Sequence, residues 1–530
     1  MIDQLTEAIL LAMNDRGQLA RVAALSKSIQ AMSDSETDDL LDRILDFGDE
    51  LQRLGHLDPD SPPDPLHVRI DQILQPVVDH LCRRENSLEG SSWTAERIRN
   101  VESLYHFTPE NSDLRNHLLR WLASSGNESA IEIWTELICN SPPEHRLGIV
   151  LAFAPLLQPD FDPPEWMLTR LINEATEHSQ ISAAIFDMFN FYFRNGKVTR
   201  HPALARVDEL TDLLGQLTGQ MGRIEEGNFP ADHNARMINQ LVSDSVALIV
   251  ALCDTFAQIN HEPAIGKLHQ ALELRHRRVQ TEAAAALARM NVDTGKEILI
   301  QLAQQPIARL RVLAYAEELG FTNDISLELQ GEIALAESHL AIWLAEPEQM
   351  GLAPSHIEFL DNREMYWPSY EHPVQCYLFR YEYGSGEQTH SNIGICGPLT
   401  HAFAADLQHL EIEDIYAAFA GWQTIHNEIY LIPTSKAELA FPNEWRHLKS
   451  QLEVEGFDEL EFHSAASFFG EIVVIASAKH DGQPGTAIAD YQQTTWLSSG
   501  NPAAPIDWQL AYTIWRGQQL LSSFNESESS

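Results

Sequence analysis

Arg277-Arg278-Val279-Gln280-Thr281-Glu282-Ala283-Ala284-Ala285-Ala286-Leu287-Ala288-Arg289-Met290 and, further on, Ala308-Arg309-Leu310-Arg311-Val312-Leu313-Ala314-Tyr315-Ala316-Glu317-Glu318-Leu319-Gly320 are the stretches that decide the fold. Set against each other, Arg278-Val279-Gln280 falls on Arg309-Leu310-Arg311, and Ala283 and Ala285 fall on Ala314 and Ala316, an offset of 31 residues. Across 262–320 each unit reads as a helix, a short turn and an alanine-rich second helix. A single pair of this kind cannot bury its apolar face alone, so neighbouring pairs are expected to stack into a solenoid. Small side chains at Ala283, Ala284 and Ala286 allow close helix approach.

These segments resemble the second helices of HEAT repeats, including the short type named after phycobilin lyases. Such repeats carry a Val-Arg pair followed by alanines and a leucine. Arg311 matches the arginine, with Leu310 in the valine position, while the first unit keeps Val279 and has Gln280 in place of arginine. The likeness covers about 60 residues. It implies a superhelical α-α scaffold used for binding and carries over no lyase activity.

Outward from the repeat, helical periodicity dominates the first two-thirds of the chain. An N-terminal helical segment is expected over 1–57, with a cap near Ser33 or Ser35. The run Asp58-Pro59-Asp60-Ser61-Pro62-Pro63-Asp64-Pro65 blocks helix and reads as a linker. Helices follow at about 66–84, 94–106, 112–124, 128–139, 144–157, 164–178, 180–194 and 203–220. A loop is expected over 221–233 and a long helix over 234–259, so that 66–346 reads as the HEAT-like solenoid. A last helix at 331–345 precedes a change of composition. The 184 residues from 347 onward hold 6 of the 11 tryptophans and 9 of the 22 histidines. Val374–Tyr381 and Ile472–Ala476 are rich in β-branched and aromatic residues and predict strands. A short SNIGIC strand, helices at 398–410 and 412–429, a strand at 486–497 and a closing helix at 506–523 complete an α+β domain over 347–524. Residues 525–530 read as a disordered polar tail.

The chain has 530 residues and a formal net charge of −42, with Asp+Glu 77 against Lys+Arg 35. Nucleic-acid and anionic membrane partners are therefore disfavoured, since both need clustered cations. Five scattered cysteines (Cys82, Cys139, Cys253, Cys376 and Cys396) form no CxxC pair and suit a reducing, cytoplasmic setting. The N-terminus carries Asp3 and Glu7 where a signal peptide needs cations. Its apolar residues Ile2, Leu5, Ile9, Leu10 and Met13 instead read as an amphipathic helix. The longest apolar run, Val246–Cys253, is well short of the roughly 20 residues of a membrane span.

Four constellations bear on chemistry. Ile393-Gly394-Ile395-Cys396-Gly397-Pro398-Leu399-Thr400-His401 runs from a strand towards a helix, where a helix field would activate the Cys396 thiol and His401 would serve as its base. The bland reading is a Gly-Pro helix start and a buried packing cysteine. A metal set drawn from His372, Cys376, His390, Cys396, His401, His409, His426 and Glu428 lacks ligand spacing, so neither metal nor cofactor is expected. Ile415, Tyr416, Phe419, Trp422, Ile425 and Ile429 make an aromatic stripe that reads first as a core face and second as a ligand wall. Finally, 267–311 holds eight basic and four acidic residues, a local +4. Arg275, Arg277, Arg278, Arg309 and Arg311 would line an inner ridge that grips an acidic protein partner, unless they form ladders with neighbouring carboxylates. Two functions follow: an interaction scaffold with the α+β domain as a second recognition module, or an enzyme centred on Cys396 and His401. The scaffold is preferred, because no nucleophile, base and orienter assemble at recognisable spacing.

Overall fold

The computed structural model describes residues 93–108, 112–144, 146–229, 234–385, 388–498 and 506–525. The expected segment 1–57, the linker 58–65 and the helix at 66–84 lie outside the described residues, as do 526–530. What is described is mostly helical, with antiparallel sheets confined to the C-terminal region. Two compact units divide between Leu299 and Ile300.

The first unit runs through α1 (Ala95–Phe107), α2 (Asp113–Ser124), α3 (Glu128–Asn140), α4 (Arg146–Phe153), α5 (Glu165–Glu174), α6 (Ser179–Arg194), α7 (Val207–Glu225), α8 (Ala235–Ile259), α9 (Ile265–Leu272) and α10 (Arg277–Arg289). α11 (Asp293–Leu302) carries the division. Side-chain caps start several helices: Thr94 accepts from the Arg97 amide, Ser112 from Leu114, and Asn127 from Ser129 and Ala130. Helix α7 continues to Glu225, so the expected 221–233 loop begins later. One continuous core joins these helices, anchored by Trp121, Trp134, Phe186, Phe189, Tyr192 and Phe256. Each such side chain contributes about 1.5–3 kcal/mol by leaving water. α8 has the length and apolar composition of a membrane span, but Val246, Ile249, Leu252, Cys253 and Phe256 are buried in this core.

The two alanine-rich helices align differently from the sequence reading. α10 and α12 (Pro306–Glu318) are both 13 residues long, and their starts lie 29 positions apart rather than 31. In that register the buried residues Val279, Ala283 and Leu287 correspond to Ala308, Val312 and Ala316. Gln280 then corresponds to Arg309, and the two do the same work. Gln280 Nε2 donates to the Leu272 carbonyl at 3.1 Å, and Arg309 Nε donates to the Ala303 carbonyl at 3.0 Å. Each ties the second helix to the end of the helix before it.

The second unit is built in five layers. Helix α13 (Glu332–Ala345) places Ala336, Leu340 and Leu344 on one face of a four-stranded sheet. That sheet is β1 (His356–Met365), β2 (Val374–Ser385), β3 (Gln388–Cys396) and β4 (His401–Ala402), antiparallel in sequence order. Its other face, with Cys376, Leu378, Ile393 and Ile395, packs on α14 (Ile412–Gln423). Next come β5 (Ile429–Pro433), α15 (Thr434–Ala440), α16 (Pro442–Val454), β6 (Asp458–Phe468), β7 (Glu471–His480), β8 (Gln483–Ala489), β9 (Thr494–Leu497) and α17 (Trp508–Asn525). Strands β5 to β9 form a second antiparallel sheet. Val473, Ile475 and Ile488 face α14 and α17, whereas Ile472, Val474 and Ala476 face α15 and α16.

The same order therefore occurs twice: an outer helix, four antiparallel strands, an inner helix. Leu378 and Val473 point inward and stand 95 positions apart, as do Ile393 and Ile488. In the inner helices Tyr416 and Tyr512, and Gly421 and Gly517, stand 96 positions apart.

Several expectations need correction. The unit begins before the composition shift at 347, because α13 is part of its outer layer. Residues 398–410 form β4 and a loop, not a helix. Buried Asn392 binds that loop: Nδ2 donates to the Phe403 and Ala405 carbonyls, and Oδ1 accepts from the Leu407 amide. α14 stops at Gln423, so Ile429 lies on a strand. The strand expected at 486–497 is two strands, broken where Asp490 Oδ1 accepts from the amides of Gln492 and Gln493. Asn525 ends α17 and holds both backbone groups of Tyr366 at 2.9 and 3.0 Å, so it is structural and not part of a tail.

Candidate functional sites

The five arginines part company. Arg275, Arg277 and Arg278 are exposed around the first turn of α10, which carries no acidic residue of its own. The amides of Arg275 and His276 donate to Glu225 at the end of α7, which satisfies the helix start from outside. Arg277 donates to Gln280 Oε1 at 2.7 Å. Arg278 lies near Asp187 of α6. Burial, then the charge of Asp254, pushes the Asp187 carboxyl up to about 6, and Arg278 opposes that rise.

Arg309 does not belong to any surface. It is 3% exposed, and besides Ala303 it donates to the Ala334 carbonyl at 2.6 Å, to Glu337 at 2.6 Å and to Ser338 at 3.2 Å. It clamps α12 to α13 and is removed from the binding face. Arg311 is exposed.

Cys396 and His401 are neighbours on β3 and β4 without forming a catalytic pair. Cys396 is 3% exposed, its Sγ lies 3.2 Å from Thr400 Oγ1, and burial pushes its thiol up, away from the thiolate. No helix starts at Pro398, so the activating field expected there is missing. His401 stacks on Trp422 with ring centres 3.9 Å apart and meets the rings of Trp343, Phe403 and Phe419 edge-on. Burial lowers its pKa, so the ring is neutral at pH 7. The aromatic stripe of α14 splits in the same region. Ile415, Tyr416 and Phe419 are core, whereas Trp422 is 47% and Ile425 96% exposed.

Among the described residues no three His, Cys, Asp or Glu side chains stand close enough to hold a metal. His372, His390, His409 and His426 are exposed, whereas Cys376 and Cys396 are buried.

Two features escaped the sequence reading. One is a buried polar network in the first unit. The Ala203 amide donates to His201 Nδ1 at 3.1 Å, which leaves Nε2–H to donate to Asn190 Oδ1 at 3.0 Å. Thr255 Oγ1 and the Ala251 carbonyl complete it. Burial lowers the His201 pKa to about 4. The other is an open groove of about 1330 Å³ between the α2–α3 turn and the end of α4. Its apolar lining includes Ala123, Ile131, Leu151, Ala154, Phe161 and Pro164, and Arg120, Glu128, Asp160 and Asp162 stand on its rim. The signal was present in Leu147, Val150, Leu151 and Ala154, spaced as one helical face, but nothing in the sequence says whether such a face is covered.

Comparison with protein-family models, with curated proteins and with solved structures returned no match.

Proposed function

We propose that the protein is an interaction scaffold. Its HEAT-like helical pairs bind an acidic protein segment through Arg275, Arg277 and Arg278, and the C-terminal α+β unit serves as a second recognition module. The observation that carries this reading is the cationic first turn of α10. A helix start is the positive end of the peptide dipoles, so each cation placed there is unfavourable by about 0.3–1 kcal/mol. Three exposed arginines around that turn, in a chain of net charge −42, present a local cationic patch to an anionic partner. Glu225 meets this turn through the backbone amides of Arg275 and His276, which leaves the Arg275 and Arg277 side chains exposed. Among the described residues the four cysteines are buried and unpaired, which supports a cytoplasmic setting for the scaffold.

The test is titration of the full chain with a labelled Glu/Asp-rich peptide, followed by fluorescence anisotropy. Binding should weaken about tenfold or more in the triple variant Arg275→Glu, Arg277→Glu, Arg278→Glu, and weaken with added salt. Equal binding by the variant and the parent chain would remove the basic turn from the proposal.

A further inference from the structure

The row Leu147, Val150, Leu151 and Ala154 follows the i, i+3, i+4, i+7 spacing of a helix face meant for burial. It is not buried: Leu147 is 65% and Val150 55% exposed. On the opposite side of the same turns, Ile149, Ala152 and Phe153 already fill the core, so α4 presents apolar side chains on two faces. The exposed face leads into the groove that Leu151 and Ala154 help to line.

At about 1330 Å³ the groove exceeds the roughly 300–1,000 Å³ of small-molecule pockets. It is lined by helix ends and an irregular segment, Asp160 to Pro164, and the apolar row continues beyond it along α4. An open trough of mixed polar and apolar lining, extended by the exposed apolar row of α4, suits an amphipathic helix laid along it.

Charge selects which helix. The rim holds three carboxylates, Glu128, Asp160 and Asp162, against one guanidinium, Arg120. Asp162 is answered by Lys197 at 3.1 Å, while Glu128 and Asp160 are exposed. Glu128 also sits in the first turn of α3. The whole chain at −42 adds a long-range field of the same sign. A second copy of this chain would bring that same charge to an acidic rim.

We propose that this groove is a docking site for an amphipathic helix of a partner protein, with an apolar face at i, i+3, i+4 and i+7 and Lys/Arg flanks. It is a different site from the cationic turn of α10 and takes a partner of opposite charge.

The probes are two roughly 18-residue helical peptides that share one leucine face, with Lys on the polar face of one and Glu on that of the other. Each is titrated into the full chain by anisotropy. The Lys peptide should bind at least about tenfold more tightly than the Glu peptide, and less tightly as salt rises. Leu147→Asp and Val150→Asp should each weaken the Lys peptide about tenfold. Both positions are exposed, so an unchanged circular dichroism spectrum is expected alongside. Glu128→Lys with Asp160→Lys should reverse the preference between the peptides. The triple arginine variant of α10 should bind the Lys peptide as the parent does, which separates this site from that one. Equal affinity for both peptides, or no effect of Leu147→Asp and Val150→Asp, would overturn the proposal.

Discussion

Gly421 of α14 and Gly517 of α17 meet each other's helix reciprocally. A Cβ on Gly421 would overlap the Thr513 carbonyl oxygen, and a Cβ on Gly517 would overlap the Ala417 carbonyl oxygen. Ala417 precedes Gly421 by four residues, as Thr513 precedes Gly517, so the two contacts exchange under a local two-fold rotation and the helices cross antiparallel. The glycines bring two backbones into contact at the centre of the five layers, where both sheets rest on the same helix pair.

Gly421→Ala and Gly517→Ala are therefore expected to destabilise the second unit. Glycine to alanine inside a helix ordinarily stabilises by about 0.5–1 kcal/mol. Here the added methyl meets backbone that cannot rotate away, and overpacking of this kind costs about 1–3 kcal/mol. Denaturant unfolding followed by tryptophan fluorescence, which Trp515 and Trp367 report from beside these helices, should show a lower midpoint for each variant. A midpoint equal to or above that of the parent chain would contradict the close crossing.

How much of this was legible depends on where the information lay. Helix ends such as Ser112 and Asn127 are local chemistry and can be read from the sequence, and so can the β-branched runs of β2 and β7. The turn between β7 and β8 is tighter than its turn-rich sequence suggests: Asp481 and Gly482 have positive φ of 52° and 78°, as a two-residue turn requires, and Gln483 to Gly485 join the strand. The doubled architecture was hidden, because only Tyr416/Tyr512, Gly421/Gly517 and Gln423/Gln519 persist by identity in the inner helices, and the hairpins run at an offset of 95 instead of 96. The loop at 398–410 reads as a helix because Asn392, the residue that claims its backbone, stands outside it. The 31-residue alignment of the alanine-rich helices followed letters, whereas burial follows a 29-residue register. Arg309 looked like Arg278 by sequence and corresponds to Gln280 by role.

The His201 network predicts an acid-labile first unit. Above the ordinary histidine pKa of about 6.5 the ring is neutral in both the folded and unfolded chain, and pH has no leverage through it. Below that value the unfolded chain takes up a proton that the folded chain refuses until about pH 4. The unfolded state then binds more protons, so stability falls between about 6.5 and 4, by at most about 3 kcal/mol. In NMR titration the His201 imidazole signals should stay unmoved from pH 7 down to pH 5 and shift only near pH 4. Movement of His201 near pH 6.5 would show that the network opens.

Thiol chemistry gives a third expectation. Cys139, Cys253, Cys376 and Cys396 are buried and unpaired, and burial raises every one of these thiols. The folded chain should react with a disulfide reagent at these four positions only as fast as it unfolds, and denaturant should release them together. Cys396→Ala removes one small packing group and should cost about 1 kcal/mol, with no change in the binding of either peptide probe. A Cys396 that is alkylated quickly at pH 7 in the folded chain would reopen the catalytic reading of the β3–β4 turn.

Arg309 and Arg277 offer the sharpest contrast between a structural and a surface arginine. Arg309 Nη1 serves the Ala334 carbonyl, Glu337 and Ser338, while Nε serves the Ala303 carbonyl. Lysine keeps the charge but has one nitrogen at the end of a flexible stem, so it cannot reach both sides of this clamp. Arg309→Lys should cost about 1–2 kcal/mol through the lost carbonyl bond. Arg309→Ala should cost about 3 kcal/mol, because it also leaves Glu337 and the Ala334 carbonyl without their donor. Arg277→Glu, on an exposed side chain, should stay within about 0.5 kcal/mol of the parent in the same unfolding measurement. It should act instead on the acidic probe, whose binding Arg309→Lys leaves intact. Stability losses of equal size at the two positions would mean that the first turn of α10 is held by its arginines, and that their charge is structural after all.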